Sequence, residues 1–183
     1  TCAPCWESDA ANERHGKLKR LILMRHAKSD WSANGEDHAR PLNKRGQKSA
    51  QGMGSWLRDM NWLPQEVLCS TATRTRQTLD LLGFPDIQTR FERALYLGEA
   101  SDLIGTIQTA KTDTVLLVGH NYGIAECAHQ LVADWPEHPR FMDYPTCATS
   151  LIQFDVTTWA NITAGTGQCA AFAIPREVMA DQS

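Results

Sequence analysis

The 183-residue sequence has no apolar run near the ~20 residues that a membrane-spanning helix requires, and no charged, apolar and small-residue succession of the secretory kind, so a soluble, cytoplasmic protein is expected. It has no excess of basic charge: 18 Lys and Arg stand against 21 Asp and Glu, a formal net charge of −3. Nothing global draws it to nucleic acid or to an anionic membrane, neither is expected as a partner, and any attraction for phosphate has to be local. It lacks internal repeats and low-complexity tracts. It also lacks a cysteine framework: Cys2 and Cys5 form one C-x-x-C pair with no second pair and no strand-helix unit after it, too little for a zinc or redox site, and the other four cysteines read as small buried hydrophobes. No metal is expected.

What is present is an ordinary globular balance, 42% hydrophobic and 21% charged, in a chain of single-domain length. Residues 1–17 are polar or small, with Pro4 and Gly16, and read as an N-terminal leader; residues 18–183 read as one domain. Apolar runs predict strands at 21–24, 67–70 and 114–118, the last buried on both faces because it does not alternate. A short strand at 87–91 and an antiparallel pair at 148–156 and 168–174 complete a sheet. Helical spacing predicts helices over 44–60 behind a cap at Asn43, then 72–82 ending at Gly83, 102–110 and 122–133. Strands alternating with helices predict an α/β fold: a single three-layer domain, its central sheet mostly parallel, with helices on both faces.

Three strand ends carry the polar residues. Leu21-Ile22-Leu23-Met24 stops at Arg25-His26, Val67-Leu68-Cys69-Ser70 runs into a turn bearing Arg74, and the 114–118 strand runs through Gly119 into His120-Asn121. Open α/β sheets bind ligands at the carboxyl ends of their strands. Phosphoryl transfer asks for an in-line nucleophile and fixed positive charge around the equatorial oxygens. A neutral imidazole serves as the first, and flanking guanidinium groups supply the second while disfavouring protonation of the imidazole. Ser70 and Asn121 are candidate substrate-binding neighbours; Lys28 and Arg76 read as exposed charge.

Leu23-Met24-Arg25-His26-Ala27-Lys28-Ser29-Asp30, Arg40-Pro41-Leu42-Asn43-x-x-Gly46, Ser70-x-x-x-Arg74-x-x-Gln77-Thr78 and Val118-Gly119-His120-Asn121 together resemble the histidine phosphatase superfamily, and within it the short SixA-type phosphohistidine phosphatases. The resemblance implies a phosphoglycerate-mutase-like fold with His26 as the nucleophile that forms a phosphohistidine intermediate. It implies that Arg25, Arg74 and His120 hold the transferred group, with no metal or organic cofactor.

Larger members of the superfamily insert a cap and supply a carboxylic acid. Here Arg74 follows His26 by 48 positions and His120 follows Arg74 by 46, so a minimal cap is expected. The position that aligns with the acid looks like Ala94, with Glu92 two residues away as the candidate proton donor. An imidazole leaving group accepts a proton near neutral pH, whereas an alkoxide needs one from the enzyme, so a missing acid favours phosphohistidine on a protein of the histidine-phosphotransfer type. The alternatives are a small-molecule phosphomonoesterase of the same superfamily, using Glu92, Glu99 or Asp37, and a non-catalytic phosphate-binding module.

Overall fold

The structure is a computed structural model and describes residues 18–180. The expected leader over 1–17, with Cys2 and Cys5, lies outside the described residues. Six strands form one sheet: β1 (Lys19–Arg25), β2 (Glu66–Ser70), β3 (Gln88–Glu92), β4 (Thr114–Gly119), β5 (Thr149–Phe154) and β6 (Gln168–Ala173). Their order is β3-β2-β4-β1-β5-β6, with the first four parallel and β5 antiparallel to both β1 and β6.

The continuous apolar runs are explained by burial on two faces. Along β1, Leu21 and Leu23 face one core while Ile22 and Met24 face the other. The helices are α1 (Lys44–Asp59), α2 (Thr73–Leu82), α3 (Ala100–Ile107), α4 (Gly123–Leu131) and α5 (Pro175–Ala180). Leu103, Ile124 and Leu131 of α3 and α4 pack with Leu21 and Leu23, whereas Met53, Leu57, Leu82 and Val178 of α1, α2 and α5 pack with Ile22 and Met24. The three-layer α/β expectation therefore describes the fold. No helix among the described residues is long and apolar enough to cross a membrane.

The departures from expectation are local. Helix α3 starts two residues earlier than the periodicity suggests because Glu99 and Asp102 form a reciprocal capping box. The short α5, opened by Pro175, was not anticipated; it covers α1 and the edge of the second core. Cys69, Cys127 and Cys147 are buried as expected, but Cys169 on the outer strand is only half-buried.

Two of the sequence motifs are structural joints. Asn43 accepts from the Gly46 amide at 2.8 Å and caps α1, while its own N–H donates to the Lys28 carbonyl at 3.0 Å. A Cβ at Gly46 would collide with that same carbonyl, so only glycine lets α1 start against the end of β1. On α2, Gln77 accepts from the Leu42 amide at 2.8 Å, and Thr78 accepts from the Ala27 amide at 3.0 Å. The loop after β1 is thus pinned to both helices, which sets where His26 sits.

Candidate active site

Register brings the three strand ends together. Arg25 is opposite Gly119 on β4, the His26 amide donates to the Gly119 carbonyl at 3.0 Å, and the His26 carbonyl accepts from Cys147 at 3.0 Å. The backbone of His26 is therefore gripped between the end of β4 and the turn into β5. A cavity of about 380 Å³ opens there, lined by Arg25, His26, Arg74, His120, Asn121 and Asp37 together with Lys28, Ser29, Trp31, Arg40, Leu97 and Thr146.

The two imidazoles lie 5.1 Å apart, centre to centre, and both are buried. The Nδ1–H of His26 donates to the Ala27 carbonyl at 2.7 Å. A carbonyl only accepts, so Nδ1 carries the hydrogen and Nε2 keeps its lone pair. Burial drives the His26 pKa from 6.5 down to about 3; the Arg74, Arg25 and Arg40 charges add to this, against the pull of the Ala27 hydrogen bond.

His120 makes its hydrogen bond through the other nitrogen. Its Nε2 is 2.8 Å from Ser70 Oγ, which also accepts from the Ala72 amide at 3.4 Å. Assigning the Ser70 hydroxyl hydrogen to Nε2 makes Nδ1 the N–H, and that Nδ1 has no hydrogen-bond partner among the described residues. Burial, then His26 and Arg74, bring the His120 pKa down to about 2. One neutral imidazole thus offers a lone pair and the other an N–H.

Arg74, in the first turn of α2, is 2% exposed. One terminal nitrogen donates to the Asp37 carbonyl at 2.6 Å and the other to Asp37 Oδ2 at 3.0 Å. Arg25 donates to the Tyr144 carbonyl at 3.0 Å. The Nε–H groups of both arginines are buried without a protein acceptor, as is His120 Nδ1. Unpaired buried donors are costly and uncommon, and three on residues of one cavity suit an oxygen-rich anion.

Among the described residues, Asp37 is the only carboxylate in that lining. Tyr96 donates to Oδ2 at 2.7 Å and Arg40 bonds Oδ1 at 2.9 Å. The Tyr96 hydrogen bond, then Arg74 and Arg40, hold the Asp37 carboxyl below the usual carboxylate range, so it is an anchor for two guanidinium groups rather than a proton store.

Of the other candidates, Asn121 lines the cavity, and Ser70, Glu92 and Glu99 do not. Ser70 is fully buried and does not line the cavity; it reaches the site only through His120, because β2 points it into the sheet end instead of toward solvent. Glu92 is bound to Arg90 at 2.9 Å and lies outside the lining, and Glu99 caps α3. Asn121 is in the lining, its amide donating to the Asp143 and Tyr144 carbonyls at 3.0 and 3.2 Å. Lys28, read as a plain exposed charge, is exposed but also lines the cavity. Sequence reasoning missed Tyr96, which meets His120 edge-on at 5.4 Å, and Thr146. No motif marked Tyr96, whereas Arg40 stood in the Arg40-Pro41-Leu42-Asn43 string as a visible signal.

Two measurements probe this geometry. Ser70→Ala should slow turnover about 5- to 10-fold, the effect of a lost hydrogen bond of about 1–1.5 kcal/mol that fixes the His120 tautomer; steady-state rates unchanged from native would remove Ser70 from the site. Acid should also destabilise the fold. Below pH 6.5 the unfolded chain protonates both imidazoles, whereas the folded chain does not until about pH 3 for His26 and about pH 2 for His120. The unfolded state therefore binds more protons, and stability falls with falling pH by about 1.4 kcal/mol per unit for each imidazole. The urea midpoint should drop between pH 7 and pH 5, and less so in His26→Asn.

The model of the histidine phosphatase superfamily (branch 1) matches residues 21–96. An uncharacterized chloroplastic protein of Arabidopsis thaliana is 33% identical over 173 residues, covering 86% of this chain and 77% of the relative. An uncharacterized protein of Mycobacterium tuberculosis is 34% identical over 160 residues, covering 84% of this chain and 100% of the relative. Among solved structures, one assigned as phosphohistidine phosphatase SixA from Nakamurella multipartitia superposes with a TM-score of 0.76 at 28% identity, over 86% of this chain and 96% of that one. The family match covers β1, its following loop and α2, the segments that deliver Arg25, His26 and Arg74, and relatives a third identical span most of the described domain: the chain belongs to the histidine phosphatase superfamily.

Proposed function

We propose that this phosphatase hydrolyses phosphohistidine on a protein, through a covalent phosphohistidine at His26. His26 Nε2 attacks phosphorus, the P–N bond of the substrate breaks, and the departing imidazole takes a proton available near neutral pH. Arg25, Arg74 and the His120 Nδ1–H bind the three phosphoryl oxygens as charge shifts onto them. Water then attacks the enzyme-bound phosphorus, releasing inorganic phosphate and returning neutral His26.

The observation that carries this reading is the pairing of an unprotonated, buried His26 Nε2 with a cavity whose one carboxylate, Asp37, is committed to Tyr96, Arg74 and Arg40. A site with no proton to give handles a P–N bond more readily than a P–O ester. The SixA-type neighbour from Nakamurella multipartitia supports the same substrate class. The test is a ranking: a phosphorylated histidine-carrier domain should be turned over far faster than sugar phosphates, and the opposite order would establish the phosphomonoesterase instead.

A further inference from the structure

The cavity at His26 continues into two others. Lys28 and Thr146 line both it and a neighbouring cavity of about 240 Å³, which in turn shares Arg45, Ser49, Pro175 and Arg176 with a third, of about 430 Å³. Among the described residues, the two outer cavities are lined by six cations, Lys28, Lys44, Arg45, Lys48, Arg140 and Arg176, and by no carboxylate. One third of the 18 basic residues of a net-negative chain is therefore gathered along one groove. Only Arg140 has a carboxylate partner among the described residues, Asp143 at 2.8 Å.

This arrangement works against the fold. Lys44, Arg45 and Lys48 occupy the start of α1, whose first turn has no acidic residue, so their charges oppose the helix dipole. Lys44 and Lys48 are also a like-charge pair at i,i+4. An anionic ligand offsets both.

We infer that the groove binds an acidic segment of the protein substrate while its phosphoryl group occupies the catalytic cavity, an inference that rests on the proposed phosphoprotein activity. Continuity with the His26 cavity identifies the occupant as substrate. Its polymer class follows from the remaining lining: Ile174, Pro175 and Met179 offer apolar contact beside the cations. Among the described residues, no aromatic side chain lines either outer cavity, where a single-stranded nucleic acid would want stacking platforms. A polypeptide alternating acidic and apolar side chains fits both features.

The test compares native protein with Arg45→Glu/Lys48→Glu/Arg176→Glu, none of which lines the catalytic cavity. Reversing three docking charges should raise KM for a phosphorylated acidic carrier domain about 100-fold and change kcat less than about threefold. Hydrolysis of free phosphoimidazole, too small to reach the groove, should stay at the native rate, which also shows that the variant is folded. Lys48→Gln/Arg176→Gln should shift KM in the same direction by less. A carrier KM unchanged in both variants, or an equal loss on both substrates, overturns the inference.

Direct binding separates this inference from the catalytic reading. A fluorescein-labelled Glu/Leu peptide should bind native protein in dilute buffer, be released at about 0.5 M salt where surface charges are screened, and not bind the triple variant. If native protein turns over no N-phosphorylated substrate, the catalytic reading fails and peptide anisotropy alone decides the groove. A peptide bound by neither protein, or by both equally, overturns it, as does tighter binding of single-stranded oligonucleotide or polyphosphate than of the peptide.

Discussion

His26→Ala is expected to abolish acid-labile phosphoryl labelling and to lower turnover by at least about 10⁴-fold, the scale on which loss of a covalent nucleophile is felt. Two neutral imidazoles share the cavity, and their hydrogen bonds decide between them. His26 donates from Nδ1 to the Ala27 carbonyl and keeps the Nε2 lone pair, whereas His120 Nε2 is engaged by Ser70 Oγ at 2.8 Å. With the Ser70 hydroxyl donating to His120, only His26 presents a lone pair to phosphorus. The substitution should leave the fold intact, because the backbone bonds of residue 26 to Gly119 and Cys147 do not involve its side chain. Brief incubation with a labelled phosphoryl donor, alkaline denaturation and counting of bound label is the measurement. Equal labelling of native and His26→Ala protein would assign the nucleophile elsewhere, and label lost in His120→Ala but kept in His26→Ala would exchange the two roles.

Arg74→Ala should reduce kcat/KM by roughly 10²- to 10³-fold, the loss expected for one preorganised donor to the transition state. The effect has two sources. The guanidinium is held on the cavity by two bonds to Asp37, so its Nε–H and remaining hydrogens are oriented before any substrate arrives. It is also one of the charges that help to keep His26 unprotonated. Arg74→Lys keeps a charge but not the fork, and should recover only part of the rate. Asp37, left half-exposed, remains paired with Arg40, so the cost to stability should be smaller than the cost to activity. Steady-state kinetics and thermal unfolding on the same preparation separate the two. A rate within threefold of native would exclude Arg74 from the transition state.

Much of the fold was legible because it depends on patterns along the chain. A strand buried on both faces has to be a continuous apolar run, and Leu21 to Met24 and Val115 to Val118 are such runs. Asn43 and Gly83 mark helix ends through local backbone chemistry, and both serve those ends in the structure. The two extra residues at the start of α3 were not legible, since Glu99 and Asp102 cap it only once both carboxylates turn back on the helix. Among the site candidates, Glu92 was chosen for its nearness to the aligned position, but one residue pair along β3 sends it to Arg90 instead.

By itself the sequence determined which residue types end each strand, and so that Arg25, His26, Arg74 and His120 would stand at one edge of the sheet. That much follows from hydrophobic periodicity and strand polarity, which are properties of short segments. Only the tertiary structure decided their chemical states: which partner each histidine nitrogen meets, that Asp37 is bound to two arginines and Tyr96, and that Ser70 reaches the site through His120. Apart from the Ala27 carbonyl beside His26 and Arg40 three positions from Asp37, those states depend on partners 37 to 59 positions away, and on burial that exists only when both faces of the sheet are covered. A hydrogen bond across such separations leaves no periodic trace in the chain.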